Sequence, residues 1–73
     1  MAEIKVESEI TGTVWKIEAS IGDKVSEDDV IMILESMKME IPVLAPEDGR
    51  ITGLHIDEGA NVGEGQHIAT MET

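Results

Sequence analysis

The sequence predicts an all-β domain, a flattened barrel or sandwich assembled from two related halves. Three observations lead there. The chain aligns with itself without a gap at an offset of 37 residues. Its apolar runs are short and are broken every several residues by glycine, proline or acidic turn residues, the rhythm of small sandwiches and barrels. The one stretch that reads as a helix start has a counterpart in the second copy that rejects a helix.

The repeat is read residue by residue. Glu3, Ile4 and Val6 fall on Glu40, Ile41 and Val43, while Gly12, Gly22 and Val25 fall on Gly49, Gly59 and Val62. Glu27 and Glu35 fall on Glu64 and Glu72, and apolar pairs such as Val14 with Ile51, Ile17 with Leu54, Ile31 with Ile68 and Leu34 with Met71 fill the intervals. Two copies are too few for a solenoid, which needs about three units to cover its ends. One domain, residues 1–73, is therefore expected, with halves at 1–36 and 38–73 related by an approximate two-fold axis.

Strands are expected at residues 2–7, 13–18, 30–35, 39–45, 50–57 and 66–72, with short pieces near Val25 and Val62. The first and fourth alternate apolar and polar positions, Ile4 and Val6 matching Ile41 and Val43. Pro42 has no N–H to donate, so its strand belongs at a sheet edge or aims that position outward. In the second and fifth the apolar parity changes between Val14 and Ile17 and again between Ile51 and Leu54, which a bulge or a strong twist in each copy explains. Turns are expected where glycine supplies a positive φ: at Gly12, at Gly22, across Pro46-Glu47-Asp48-Gly49, and at Gly59. Ser26-Glu27-Asp28-Asp29 ahead of Val30–Leu34 resembles a capping box opening a helix. Its counterpart, Gly63-Glu64-Gly65-Gln66, puts two glycines in that first turn, each costing about 1 kcal/mol against alanine. Equivalent halves share a fold, so the segment is a strand.

Composition narrows the function. The chain has 73 residues, no cysteine and a single aromatic side chain, Trp15. Disulfides and thiolate metal sites are ruled out, and a cytoplasmic home is expected. Sixteen acidic against five basic residues give a net charge of −11, which repels nucleic acid and anionic lipid and favours basic partners. The longest apolar run, Val30–Leu34, is too short to span a bilayer, and no signal peptide is visible. Asp57-x-Gly59-x-Asn61 lacks the closing glutamate of a calcium loop. Gly59, Gly63 and Gly65 lack the lysine of a phosphate loop. His55 and His67 have no evident third ligand. Trp15 reads as a partly buried strand residue. No nucleophile–base pair points to an enzyme.

Lys38 stands out by position. Under the offset it is the counterpart of Met1, so the link between halves takes the place that the free termini take in the other half. A two-fold axis puts the Ser36–Met39 link and the chain ends at opposite poles, with Lys38 on a hairpin tip. An exposed amine on a rigid tip is what a tethered prosthetic group needs.

The surrounding residues, Glu35-Ser36-Met37-Lys38-Met39-Glu40, resemble the attachment motif of biotin carboxyl carrier domains and, more broadly, of the biotinyl/lipoyl attachment family. The resemblance spans the chain through Gly12-Thr13-Val14, Val25, Val30–Leu34, Ala45-Pro46, Gly49, Gly59 and Val62. It implies two four-stranded antiparallel sheets and biotin in amide linkage on Lys38, made by a biotin–protein ligase. It also implies shuttling of a carboxyl group between a biotin carboxylase and a carboxyltransferase, with no catalysis by the carrier itself. Met37 and Met39 are then contacts to partner enzymes rather than hairpin filler, and Glu35, Ser36 and Glu40 form the hairpin context. A monomer is expected. Two features depart from the family: Glu9-Ile10-Thr11 stands where Pro-Met or Pro-Gly is common, and the ungapped repeat leaves no room for the thumb that some bacterial carriers insert. The nearest rival is a lipoyl carrier. Lipoyl domains share Glu-Ser before the lysine, but their usual neighbours, Asp and Ala, are both replaced by Met here, which favours biotin over lipoic acid. A rival of another class, an unmodified acidic interaction module, leaves the Met-Lys-Met tip unexplained.

Overall fold

The computed structural model describes residues 2–73, and every regular element among them is a strand. In chain order these are β1 (Glu3–Glu7), β2 (Gly12–Ile17), β3 (Lys24–Val25), β4 (Val30–Ser36), β5 (Met39–Leu44), β6 (Gly49–Leu54), β7 (Asn61–Val62) and β8 (His67–Glu72). They form two antiparallel four-stranded sheets, ordered β1-β8-β6-β3 and β5-β4-β2-β7. We call these the terminal sheet and the hairpin sheet. The segment with capping-box chemistry is a turn: the Asp29 carboxylate does reach back to the Ser26 N–H (2.8 Å), but Asp28 takes φ 73° and no helix follows. The matching turn uses Gln66 on Gly63 (2.9 Å) and Gly65 at φ 83°.

The duplication is visible in the hydrogen bonds. Val14 N–H donates to the Ala60 carbonyl and Ile51 N–H to that of Asp23, both at 2.9 Å. Gly59 N–H donates to Val14 and Gly22 N–H to Ile51, both at 2.7 Å. Each member of a pair is the other shifted by one repeat. The two expected bulges are present, between Val14 and Lys16 in β2 and between Ile51 and Gly53 in β6. β5, which contains Pro42, is an edge strand. The fifth strand stops at Leu54 instead of running to residue 57, although His55 N–H still reaches the Ile68 carbonyl (2.9 Å).

Two glycines act differently from the expectation. Gly22 and Gly59 do take positive φ, 96° and 88°, but Gly12 and Gly49 lie at strand starts without it. What excludes a side chain there is close approach: a Cβ would stand 2.5 Å from the Glu35 carbonyl oxygen at Gly12, and 2.5 Å from that of Glu72 at Gly49. Sequence alone cannot separate these two uses of glycine, because both read as a small residue at an element boundary.

The core lies between the sheets and has no aromatic ring. Val14, Ile31, Met32 and Leu34 of the hairpin sheet face Val6, Ile51, Ile68, Ala69 and Met71 of the terminal sheet, all buried. Full burial of each large aliphatic side chain contributes about 1.5–3 kcal/mol. Met32 and Ala69 are counterparts one repeat apart, so the core carries a large residue in one half where the other half has a small one.

Candidate functional site

The β4–β5 hairpin closes in the shortest way available. Ser36 pairs with Met39, and Met37 and Lys38 alone form the turn, at φ 51° and 66°. Positive φ at both central residues is the type I′ arrangement, whose twist matches that of the flanking strands and which ordinarily selects Asn-Gly. Methionine and lysine have a Cβ that disfavours this region by about 1–2 kcal/mol each. Local preference is therefore overridden at this turn and at no other turn by two adjacent residues. Non-glycine residues held in the left-handed region concentrate at functional sites.

The tip stands clear of the body. Met37 is 92% exposed and Met39 62% exposed, so neither fills a gap in the hairpin. Lys38 is exposed and makes no ion pair among the described residues, where Lys16–Glu18 (3.3 Å) is the recorded pair. Directly beneath, Glu35 and Glu40 face each other across the strands, both exposed, and Ser36 is half-buried. Like charges set opposite one another weaken a hairpin modestly. The base is braced by β2: Thr13 pairs with Glu35, Gly12 lets the backbones close, and Thr13 Oγ1 donates to Asn61 Oδ1 (3.2 Å). Gly12, Thr13 and Asn61 were not singled out as supports by sequence reasoning. The offset could have found them, since they match Gly49, Arg50 and Lys24 at the other pole.

The chain ends lie on the other sheet. Thr73 N–H donates to the Ala2 carbonyl (2.9 Å) and Ala2 N–H to that of Thr73 (3.3 Å), in the place that Ser36 and Met39 occupy in the hairpin. The backbone runs from Gly12 beside the hairpin to Lys24 beside the chain ends, so the two lie at opposite poles of a body 36 Å long. Met1, the counterpart of Lys38, lies outside the described residues.

Other sequence candidates resolve simply. His55 and His67 approach to 4.4 Å between ring centres, and both Nε2 atoms share the Thr70 hydroxyl, at 2.7 and 2.9 Å. Among the described residues no three potential ligands gather around a metal position. Among the described residues no helix is long and apolar enough to cross a membrane. Trp15 is the bulged residue of β2 and is 51% exposed, more open than a strand residue packed on one side.

The chain as a whole has relatives among known proteins. Residues 2–71 match the family described as biotin-requiring enzyme. The chain belongs to that family. Among its relatives, the biotin carboxyl carrier protein of Streptococcus mutans is 38% identical over 60 residues, covering 82% of this chain and 46% of the relative. A Mycobacterium leprae homologue of biotinylated protein TB7.3 is 41% identical, covering 97% of this chain and 99% of the relative. The biotin/lipoyl attachment protein of Bacillus subtilis is 38% identical, covering 90% of each. The chain thus spans about half of the first of these, and 11% of a biotin-dependent acyl-coenzyme A carboxylase subunit from M. leprae to which it is 39% identical over 92% of its own length. Of solved structures, the urea carboxylase of Kluyveromyces lactis superposes with a TM-score of 0.92 at 32% identity, over 99% of this chain and 6% of that one.

Proposed function

We propose that Lys38 is the residue on which this biotin carrier domain holds its cofactor, with residues 1–73 acting as one attachment unit. The observation that carries the reading is the turn itself. A free amine stands at the tip of a two-residue hairpin whose backbone is held in a conformation that Met37 and Lys38 would not choose locally. Family membership and relatives named as biotin carriers support the same reading.

The chemistry of loading is an acyl transfer. Lysine Nζ is protonated at neutral pH in water, so the ligase must remove a proton before the amine attacks. Nζ then bonds to the carboxyl carbon of adenylated biotin, AMP departs with the electron pair, and an amide remains. The attached group supplies the nitrogen that takes up and gives away a carboxyl group. Everything this chain contributes is presentation. The braced hairpin holds the attachment point away from the body, while Met37 and Met39 offer exposed apolar contacts to partner enzymes. Loading removes the tip's cation and leaves Glu35 and Glu40 uncompensated, which favours a basic site on a partner. In this reading the domain is a non-catalytic, monomeric, cytoplasmic carrier served by a biotin–protein ligase and working between a biotin carboxylase and a carboxyltransferase. No feature of the site favours a lipoyl group.

Expression with biotin and its ligase, followed by intact mass and peptide mapping, tests the assignment. One biotin on Lys38, absent in Lys38→Arg, is expected. Biotin retained by Lys38→Arg, or a lipoyl increment in place of biotin, would overturn it.

A further inference from the structure

The two sheets are related by the repeat, yet their outer faces are opposite in character. On the hairpin sheet, Ile33 pairs with Lys16 on one side and Pro42 on the other, and Val30 pairs with Leu44. Trp15, pushed out by the bulge beside Lys16, joins them on the solvent side. The matching positions of the terminal sheet are Thr70, Gly53, Lys5, His67, Glu7 and Thr52. Trp15, Ile33, Pro42, Val30 and Leu44 are thus each replaced by a polar residue one repeat away. Trp15 is 51%, Leu44 42% and Val30 39% exposed. An outer face apolar on one sheet and polar on its counterpart is not a requirement of the fold.

We propose that this face is a docking surface for the biotin carboxylase that acts on the loaded Lys38 arm, a protein presenting an apolar patch edged by lysine and arginine. The inference rests on Lys38 as the attachment point. Continuity argues for that occupant: the face is formed largely by β4 and β5, the two strands that end in the Met37-Lys38 turn. Exposed Met37 and Met39 stand at the tip of the same hairpin, beyond the Glu35–Glu40 pair, so apolar contact area continues to the attachment point. Charge argues for a basic rim. Glu35 and Glu40 border the face at the hairpin end, and Asp28 and Asp29 border it at the far end, where their backbones bond to Ala45 next to Leu44. Lys16, the cation in the middle, is paired with Glu18 (3.3 Å). A second copy is disfavoured, because two chains of net charge −11 would bring these acidic borders together. Apolar contact centred on an exposed tryptophan with a charged rim is the usual anatomy of a protein interface.

The test gives the hairpin sheet the character of its partner. Trp15→Thr with Ile33→Thr places the terminal-sheet residues at the matching positions, and Lys5→Ser with Thr52→Ala serves as control on the polar face. Each protein is loaded with biotin, checked by intact mass and thermal melt, and assayed as substrate of a purified biotin carboxylase across a salt series. KM for the loaded carrier should rise about tenfold in the Trp15/Ile33 variant with kcat retained, and stay unchanged in the control. Wild-type KM should rise with salt. In parallel, 5-fluorotryptophan at Trp15 should broaden by 19F NMR when the carboxylase is added to folded wild type, a readout independent of any variant. Equal KM values with an unperturbed fluorine signal would overturn the docking surface. A wild-type dimer in sedimentation that Trp15→Thr dissociates would overturn it in favour of self-association. Loading is read first and separately, so biotin missing from Lys38 would instead sink the attachment-site reading and this inference with it.

Discussion

The two poles of the molecule are built from the same strand ends and carry opposite equipment. At one, Glu35 faces Glu40 beneath the Met37-Lys38 turn; at the other, Glu3 faces Glu72 beside the free chain ends. The glutamate pairs are exact counterparts under the repeat. Their neighbours are not. Glu72 also stands opposite Arg50, which stands opposite Lys24, so two cations share the strand ends with the carboxylates beside the chain ends. Their counterparts at the hairpin are Thr13 and Asn61, which hydrogen-bond to each other and carry no charge. The hairpin pole therefore depends on Lys38 for its positive charge and, with Lys38 as the attachment point proposed above, loses it on acylation. The fold alone does not make the site: a symmetric scaffold acquires one by closing a single end covalently and stripping that end of its other cations.

Breaking the brace beneath each pole should separate stability from loading. Gly12→Ala and Gly49→Ala both force a Cβ to within 2.5 Å of a carbonyl oxygen, so each should lose about 2 kcal/mol of stability in urea melts. Only Gly12→Ala displaces the strand that supports the hairpin. Its initial rate of biotinylation, measured well below the melting temperature, should fall several-fold while that of Gly49→Ala stays near wild type.

Relieving the turn should act in the other direction. Met37→Asn puts a residue tolerant of positive φ at the first turn position and should stabilise the protein by about 0.5–1 kcal/mol. Scanning calorimetry should show a melting temperature higher by about 3–6 °C. The same change removes an apolar side chain that is 92% exposed. Carboxyl transfer should therefore slow even as stability improves.

The smallest effect is expected from copying charge between the poles. Thr13→Arg with Asn61→Lys installs at the hairpin the cations found at the chain ends. Exposed pairs of this kind stabilise by a few tenths of a kcal/mol at low salt. The informative readout is the salt dependence of carrier KM for a biotin carboxylase, which should flatten when Glu35 and Glu40 are already compensated.

Much of this architecture was legible in the residues because the duplication supplied a second reading of each element. Gly63 and Gly65 decided that Val30–Leu34 is a strand, and the parity change at Val14–Ile17 located a bulge that recurs at Ile51–Leu54. Lys38 emerged from its place between the copies together with the flanking methionines. What stayed hidden depends on approach between distant segments. Gly12 and Gly49 looked like turn glycines because the Glu35 and Glu72 carbonyls that crowd them lie more than twenty residues away in sequence. Trp15 looked half-buried because strand alternation does not tell which residue a bulge expels. The polar and apolar outer faces become visible only when register says which side each residue takes.

In the proposed function a rigid hairpin, and not a flexible peptide, presents Lys38. Exchanging Lys38 and Met39 keeps composition and charge but moves the amine from the turn into the first pair of β5, where it points along a strand face. A time course of biotinylation by purified ligase on the apo-protein compares this exchange with Met37→Leu/Met39→Leu, which keeps volume and hydrophobicity around an unmoved lysine. The double leucine variant should load at close to the wild-type rate and the exchanged protein at less than about a hundredth of it, equivalent to a loss of about 2.7 kcal/mol in transition-state binding. Equal loading of the exchanged protein would contradict the account, for it would show the ligase following the lysine wherever it stands.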